Sequence, residues 1–150
     1  MPQILFLCTG NYYRSRFAEE LFNHLASERG IGWQADSRGL ALHLGILNVG
    51  PISPATAIAL AKMGIPLSNP IRSPRDLCEN DLHSSARIIA LKEAEHRPMI
   101  AARFPGWPDR VEYWHVDDLD QLSASQALAQ IEQHIRELID RFASLEQFSD

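Results

Sequence analysis

The segment Gln3-Ile4-Leu5-Phe6-Leu7-Cys8-Thr9-Gly10-Asn11-Tyr12-Tyr13-Arg14-Ser15 decides how this chain folds. Residues 3–7 are a short, nearly unbroken apolar run, which suits a strand buried on both faces of a parallel sheet. Phe17, Ala18, Leu21, Phe22 and Leu25 then recur at helical spacing, so residues 15–29 are expected to form a helix with Gly30 just past its end. The loop between them contains Gly10 and Asn11, residue types that tolerate positive φ. Strand, tight loop and helix follow one another within 30 residues.

The same alternation continues along the chain. Ile31–Ser37 reads as a second strand, and residues 38–52, with Gly39, Gly45, Gly50 and Pro51, read as loop. Ser53 as N-cap, Pro54 at the first helical position and Gly64 past the end bound a short helix. Residues 86–91 are a third strand, Glu93 to about Arg103 a helix closed by Pro105, and Val111–Val116 a fourth strand. A capping box, Ser123-x-x-Gln126, opens the last helix, with Leu128, Ile131, Ile135, Leu138, Ile139 and Phe142 on one stripe. The pattern predicts an α/β fold: a doubly wound four-stranded parallel sheet with helices on both faces, one domain over 1–150. Ligands of such sheets bind beyond the carboxyl ends of the strands, which points to Cys8 and to the segment after Val116.

Composition narrows the function. The chain has 150 residues, 45% hydrophobic and 22% charged, enough apolar surface for one core and too much for a disordered chain. No apolar run reaches the roughly 18 residues of a membrane span, and the N-terminus lacks the basic region and cleavage site of a signal peptide. A net charge of −5 argues against general affinity for nucleic acid or an anionic membrane. Cys8 and Cys78 make neither a disulfide framework nor a four-ligand zinc site, and the expected location is cytoplasmic, with reduced thiols. The six His are scattered without metal-ligand pairing, so no metal and no cofactor is expected; His96 and His115 read as surface or core-edge residues.

Physical chemistry gives the loop a purpose. A helix N-terminus presents unpaired N–H groups and a partial positive charge, and a loop wrapping onto it can aim several amides at one anion. Cys8 would lie at the floor of that cradle, where a thiolate is favoured. Arg14 carries a planar fork that matches two phosphate oxygens, and Ser15 can donate its hydroxyl to the thiolate. Residues 9–15 (Thr9, Gly10, Asn11, Tyr12, Tyr13, Arg14 and Ser15) are the expected phosphate binders.

This Cys-x5-Arg-Ser loop at the extreme N-terminus, with Gly10-Asn11 inside it, resembles the low-molecular-weight protein tyrosine phosphatases, of phosphatase I-like fold. The resemblance implies hydrolysis of phosphomonoesters through a phosphocysteine, with Cys8 as nucleophile and Arg14 as clamp. It aligns Trp114-His115-Val116-Asp117-Asp118-Leu119 with the family's acid segment, making Asp118 the general acid, with Asp117 and Asp120 as alternatives. Asn11, Ser15, Ser37 and Asn69 are implied as loop supports. The implied partners are a phosphotyrosine protein or aryl phosphate as substrate, with phosphate or vanadate as inhibitors.

Several positions depart from the family. Tyr13 stands where a second loop Cys is common, so no disulfide between neighbouring loop cysteines can protect Cys8. Arg16 replaces a Pro and reads as a solvated helix residue. Lys92 replaces an Asp that braces the loop arginine; Glu93 or Glu95 can substitute. The aromatics that line the family's phosphotyrosine slot are missing after Asp118, leaving Tyr12 and residues 40–44 as candidate walls. Cys78 reads as a partly buried small hydrophobe. An arsenate reductase, which needs two further cysteines, a phosphocysteine carrier, and a phosphotyrosine-binding pseudophosphatase remain as rival readings.

Overall fold

In the computed structural model, Gln3–Cys8 is the first strand, β1, and it runs through the middle of a four-stranded sheet. The structure describes residues 1–67, 69–117 and 123–147, with residues 146 and 147 described by backbone alone. Strand β1 pairs in parallel with β2 (Gln34–Gly39) on one side and with β3 (Arg87–Ala90) on the other. A two-residue strand β4 (Glu112–Tyr113) adds to β3, giving the order β2-β1-β3-β4. The chain leaves β1 toward one edge and returns on the other side of it. The carboxyl end of β1 is therefore the switch point of the sheet, where crevices form. Cys8 is the last residue of that strand.

The unbroken apolar run is explained by burial on both faces. Ile4 and Phe6 point into a core shared with Phe17 and Leu21 of α1 (Arg14–Glu28), Leu60 of α2 (Pro54–Lys62) and the stripe of α5 (Ala124–Gln147). Leu5 and Leu7 point into a second core with Leu82 of α3 (Glu79–Ser84), Ile100 of α4 (Glu93–Arg103) and Trp107. The expected starts and stops hold. Gly64 takes φ 73° past α2, and Ser123 and Gln126 exchange the two bonds of a capping box before α5.

Two strand boundaries and one short helix differ from the sequence reading. Strand β2 begins at Gln34 and continues through Gly39, because Arg38 and Gly39 pair with Leu7 and Cys8; Ile31 is a buried plug before the strand. Strand β4 is shorter than 111–116, with Trp114 and Val116 N–H groups extending the pairing to Ala90 and Leu91 carbonyls. Helix α3 was not expected. It buries only Leu82, too little apolar periodicity to register, and its N-cap is Cys78, an unusual capping residue.

Candidate active site

The loop after β1 closes onto the first turn of α1, and Asn11 is what shapes it. Asn11 takes φ 49°, the one positive φ of a non-glycine among the described residues. Its side chain is fully buried. The amide nitrogen donates to Ser15 Oγ (2.9 Å) and Ser37 Oγ (2.8 Å). The amide oxygen accepts from Arg72 Nη1 (2.9 Å) and the Arg75 N–H (3.0 Å). Donors on one side and hydroxyls on the other fix which way the amide points. Ser15 Oγ, already accepting from Asn11, is left to direct its proton to Cys8 Sγ, 2.9 Å away. Cys8 is 3% exposed and opens onto a cavity of about 610 Å³, also lined by Thr9, Gly10, Tyr12, Arg14 and Glu95.

Arg14 is 2% exposed and held as a plane. Its Nη2 meets Glu95 Oε2 at 2.7 Å, and its Nη1 meets Glu95 Oε1 at 3.3 Å and the Val116 carbonyl at 3.0 Å. Of the two glutamates proposed to replace the missing Asp, Glu95 is the one in contact. Glu95 also accepts from the Thr9 hydroxyl and lies 3.1 Å from His96 Nε2. The Lys92 N–H donates to His96 Nδ1 (3.1 Å), so the ring proton sits on Nε2 and faces the carboxylate. Burial opposes ionisation of Glu95. Hydrogen bonds from His96, Arg14 and Thr9, with the Arg14 charge, overcome it and hold this carboxyl well below the usual carboxylate range.

Other residues lie differently from expectation. Asn69 is exposed and does not meet Asn11; Arg72 takes that place, and also donates to Ser37 Oγ (2.9 Å) and Glu19 Oε1 (2.9 Å). A single Arg between Pro70 and Pro74 has no sequence signal that marks it as a brace. Arg16 is not solvated: it is 2% exposed, turned under the loop. His96 is fully buried because both ring nitrogens have partners, whereas His115 is exposed as expected. Cys78 is exposed rather than partly buried, since its role is to cap α3. Lys92 turns away from Arg14 to an ion pair with Asp117. Asp118 and Asp120 lie outside the described residues. Tyr12 lines the cavity, with its hydroxyl donating to the Val49 carbonyl (2.6 Å), while Tyr13 is buried with its hydroxyl on the Ala124 carbonyl (3.1 Å). Among the described residues no group of His, Cys, Asp or Glu is placed to hold a metal, and no helix is long and apolar enough to cross a membrane.

A buried cysteine at a strand end, a loop of amides and a clamped arginine over an open cavity form an oxyanion site. Residues 3–147 match the low molecular weight phosphotyrosine protein phosphatase family. The chain belongs to that family. A protein-arginine-phosphatase of Bacillus subtilis (strain 168) is 31% identical over 147 residues, 90% of this chain and 93% of the relative. A low molecular weight protein tyrosine phosphatase from T. tengcongensis shares the fold, with TM-score 0.77 at 24% identity over 94% of this chain and 99% of that one. The arginine phosphatase YwlE, also of B. subtilis, superposes with TM-score 0.72 at 25% identity over 93% of this chain and 94% of that one. That structure is a cysteine-to-serine variant whose active-site serine is phosphorylated. The protein is thus a low molecular weight phosphatase, an enzyme that hydrolyses phosphoesters. Its site combines the Glu95 brace on Arg14, the Lys92–Asp117 pair and the buried Arg16.

Proposed function

We propose that this phosphatase acts on phosphotyrosine in proteins, with Cys8 as nucleophile, Arg14 as clamp and Asp118 as general acid. The supporting observation is Cys8 Sγ beside Ser15 Oγ at the floor of a cavity that Arg14 also lines. The thiolate attacks phosphorus in line; the S–P bond forms as the P–O bond to the leaving phenol breaks. Arg14 and the loop N–H groups hold the three equatorial oxygens while charge redistributes over them. Asp118 gives its proton to the leaving oxygen, then takes one from the water that cleaves the phosphocysteine and regenerates the thiolate. Asp117 is already engaged by Lys92, which favours its neighbour for this task. Two free thiols suit a reducing, cytoplasmic setting.

The test is para-nitrophenyl phosphate hydrolysis between pH 5 and 7 by the wild type and Cys8→Ser, with vanadate and phosphate as competitive inhibitors. Turnover by the wild type alone is expected. Tight phosphopeptide binding with no turnover would return the pseudophosphatase. An arsenate reductase is disfavoured because the chain has only Cys78 besides Cys8.

Phosphoarginine is a second reading, favoured by the arginine phosphatase relative and by the lack, after Asp118, of the aromatics that the family resemblance leads one to expect. The scissile bond would then be P–N, and Asp118 would protonate a guanidine. Peptides of one sequence carrying either phosphoresidue separate the two. A kcat/KM more than about tenfold higher on phosphoarginine, ~1.4 kcal/mol of transition-state preference, replaces tyrosine as the substrate.

A further inference from the structure

We propose that Arg16 gives the phosphate site a second buried positive charge, a positioning residue that favours the bound oxyanion through space while tying three loops around the cradle. This inference rests on Cys8–Ser15 being a phosphate cradle. Arg16 is 2% exposed in the first turn of α1. Its Nη1 donates to the Pro51 carbonyl (2.9 Å) and, more weakly, to the Asn11 carbonyl (3.4 Å). Its Nη2 donates to the Arg72 carbonyl (2.8 Å). Asn11 belongs to the cradle, Pro51 lies between Asn48 and Ser53, which line the cavity, and Arg72 braces Asn11.

Each of these acceptors is a neutral carbonyl. A neutral donor would satisfy them as well, so the bonds do not account for burying a cation, which is costly unless an opposite charge is near. The contrast with Arg14 is direct: Arg14 has Glu95, whereas among the described residues Arg16 has no carboxylate within ion-pair reach, and its Nε is buried without a partner there. Its charged surroundings are Arg72, which repels it, and Glu19, Glu20 and Cys8, which attract it. Glu19 is already committed to Arg72 and Ser37. Burial and Arg72 push the guanidinium below the ordinary arginine value, but an arginine stays charged. The charge is therefore under-compensated while the cradle is empty. An oxyanion in the cradle supplies the missing negative charge. By linkage, what the anion does for Arg16 is returned as affinity for the anion. The family resemblance puts Pro here, so the charge is a property of this chain.

The experiment measures inorganic phosphate as a competitive inhibitor of para-nitrophenyl phosphate hydrolysis by the full chain. The variants are Arg16→Gln, which keeps donors but loses charge, Arg16→Lys, which keeps charge, and Arg16→Pro, which suits a first helical turn and gives a charge-free site even if Gln is not tolerated. Thermal melting establishes that each is folded. The inhibition constant is expected to rise at least about tenfold in the Gln and Pro variants, the effect of one charge roughly 6 Å from a dianion even at the dielectric of water. It should stay within about threefold in Arg16→Lys, where the charge remains. An unchanged constant in Gln and Pro overturns the proposal. So does an equal loss in Lys and Gln, which would make Arg16 a scaffold only. A wild type that phosphate does not inhibit would instead remove the cradle reading itself.

Discussion

Replacing Glu95 by Gln tests whether the brace on Arg14, and not only Arg14 itself, supports catalysis. The change keeps the size of the side chain and one oxygen, but removes the charge and faces an NH2 group toward donors already supplied by Arg14, Thr9 and His96. Breaking a buried ion pair by removing one partner costs about 3–5 kcal/mol. Arg14 is 2% exposed but Glu95 is 24% exposed, and that solvent contact brings the expected cost toward ~2 kcal/mol. At about 1.4 kcal/mol per tenfold, kcat/KM for para-nitrophenyl phosphate should fall about 30-fold. The loss should fall on kcat, because Arg14 must keep its plane as charge moves across the equatorial oxygens, while removing a nearby negative charge eases ground-state phosphate binding. Stability gives a second readout with a defined sign. The folded-state carboxyl of Glu95 lies below its ordinary 4.5, so its contribution is complete above that pH and lost as pH falls toward the folded value. Urea unfolding should show Glu95→Gln less stable than wild type at pH 7, with the gap narrowing at pH 3. A kcat/KM within threefold of wild type, or a stability gap that is the same at both pH values, refutes the reasoning.

Other outcomes follow from the same geometry. Cys8→Ser should abolish turnover, and Arg14→Lys should be nearly as damaging, because an ammonium cannot keep both the bidentate contact to Glu95 and a fork on phosphate; steady-state kinetics and phosphate inhibition read both. Gly39→Ala places a Cβ 3.0 Å from the Thr9 carbonyl oxygen and 3.2 Å from Asn11 Cβ, and 2.5 Å from a movable Leu42 tip. It should destabilise the protein by about 1–3 kcal/mol in a melting experiment and lower kcat by displacing the cradle. Asp118→Asn should cut kcat on phenyl phosphate by about 10²–10⁴, whereas Asp117→Asn costs far less; equal activity of Asp118→Asn and wild type removes the assignment.

The fold was legible because β1 is apolar on both faces and the helix after it is apolar on one. Two periods met at Cys8, and the strand-loop-helix context followed. Short elements were not legible. Helix α3 buries one leucine, and β4 holds two residues in place mostly through neighbours. At the site, Cys8, Asn11, Arg14, Ser15 and Ser37 were readable because loop chemistry depends on residues close in sequence or on a motif with fixed spacing. Arg72 and Arg16 were not. Each acts through side-chain reach across segments about 60 residues apart, and a long cationic side chain on paper is indistinguishable from a solvated one.

The departures at 92 and 95 are best understood together. Helix α4 starts at Glu93, so Glu95 lies three residues beyond position 92, close to one helical turn and about 4.5 Å along the axis. A carboxylate placed there returns to nearly the same face, and the extra methylene of Glu spans part of the added distance to Arg14. With the brace relocated, an Asp at 92 would set a second carboxylate near Glu95. A Lys there instead neutralises Asp117 at the start of the acid segment. What these two positions deliver is therefore a charge arrangement, the Glu95 carboxylate against Arg14 and a cation beside Asp117, reached by moving the carboxylate about one helical turn from the place the resemblance gives it.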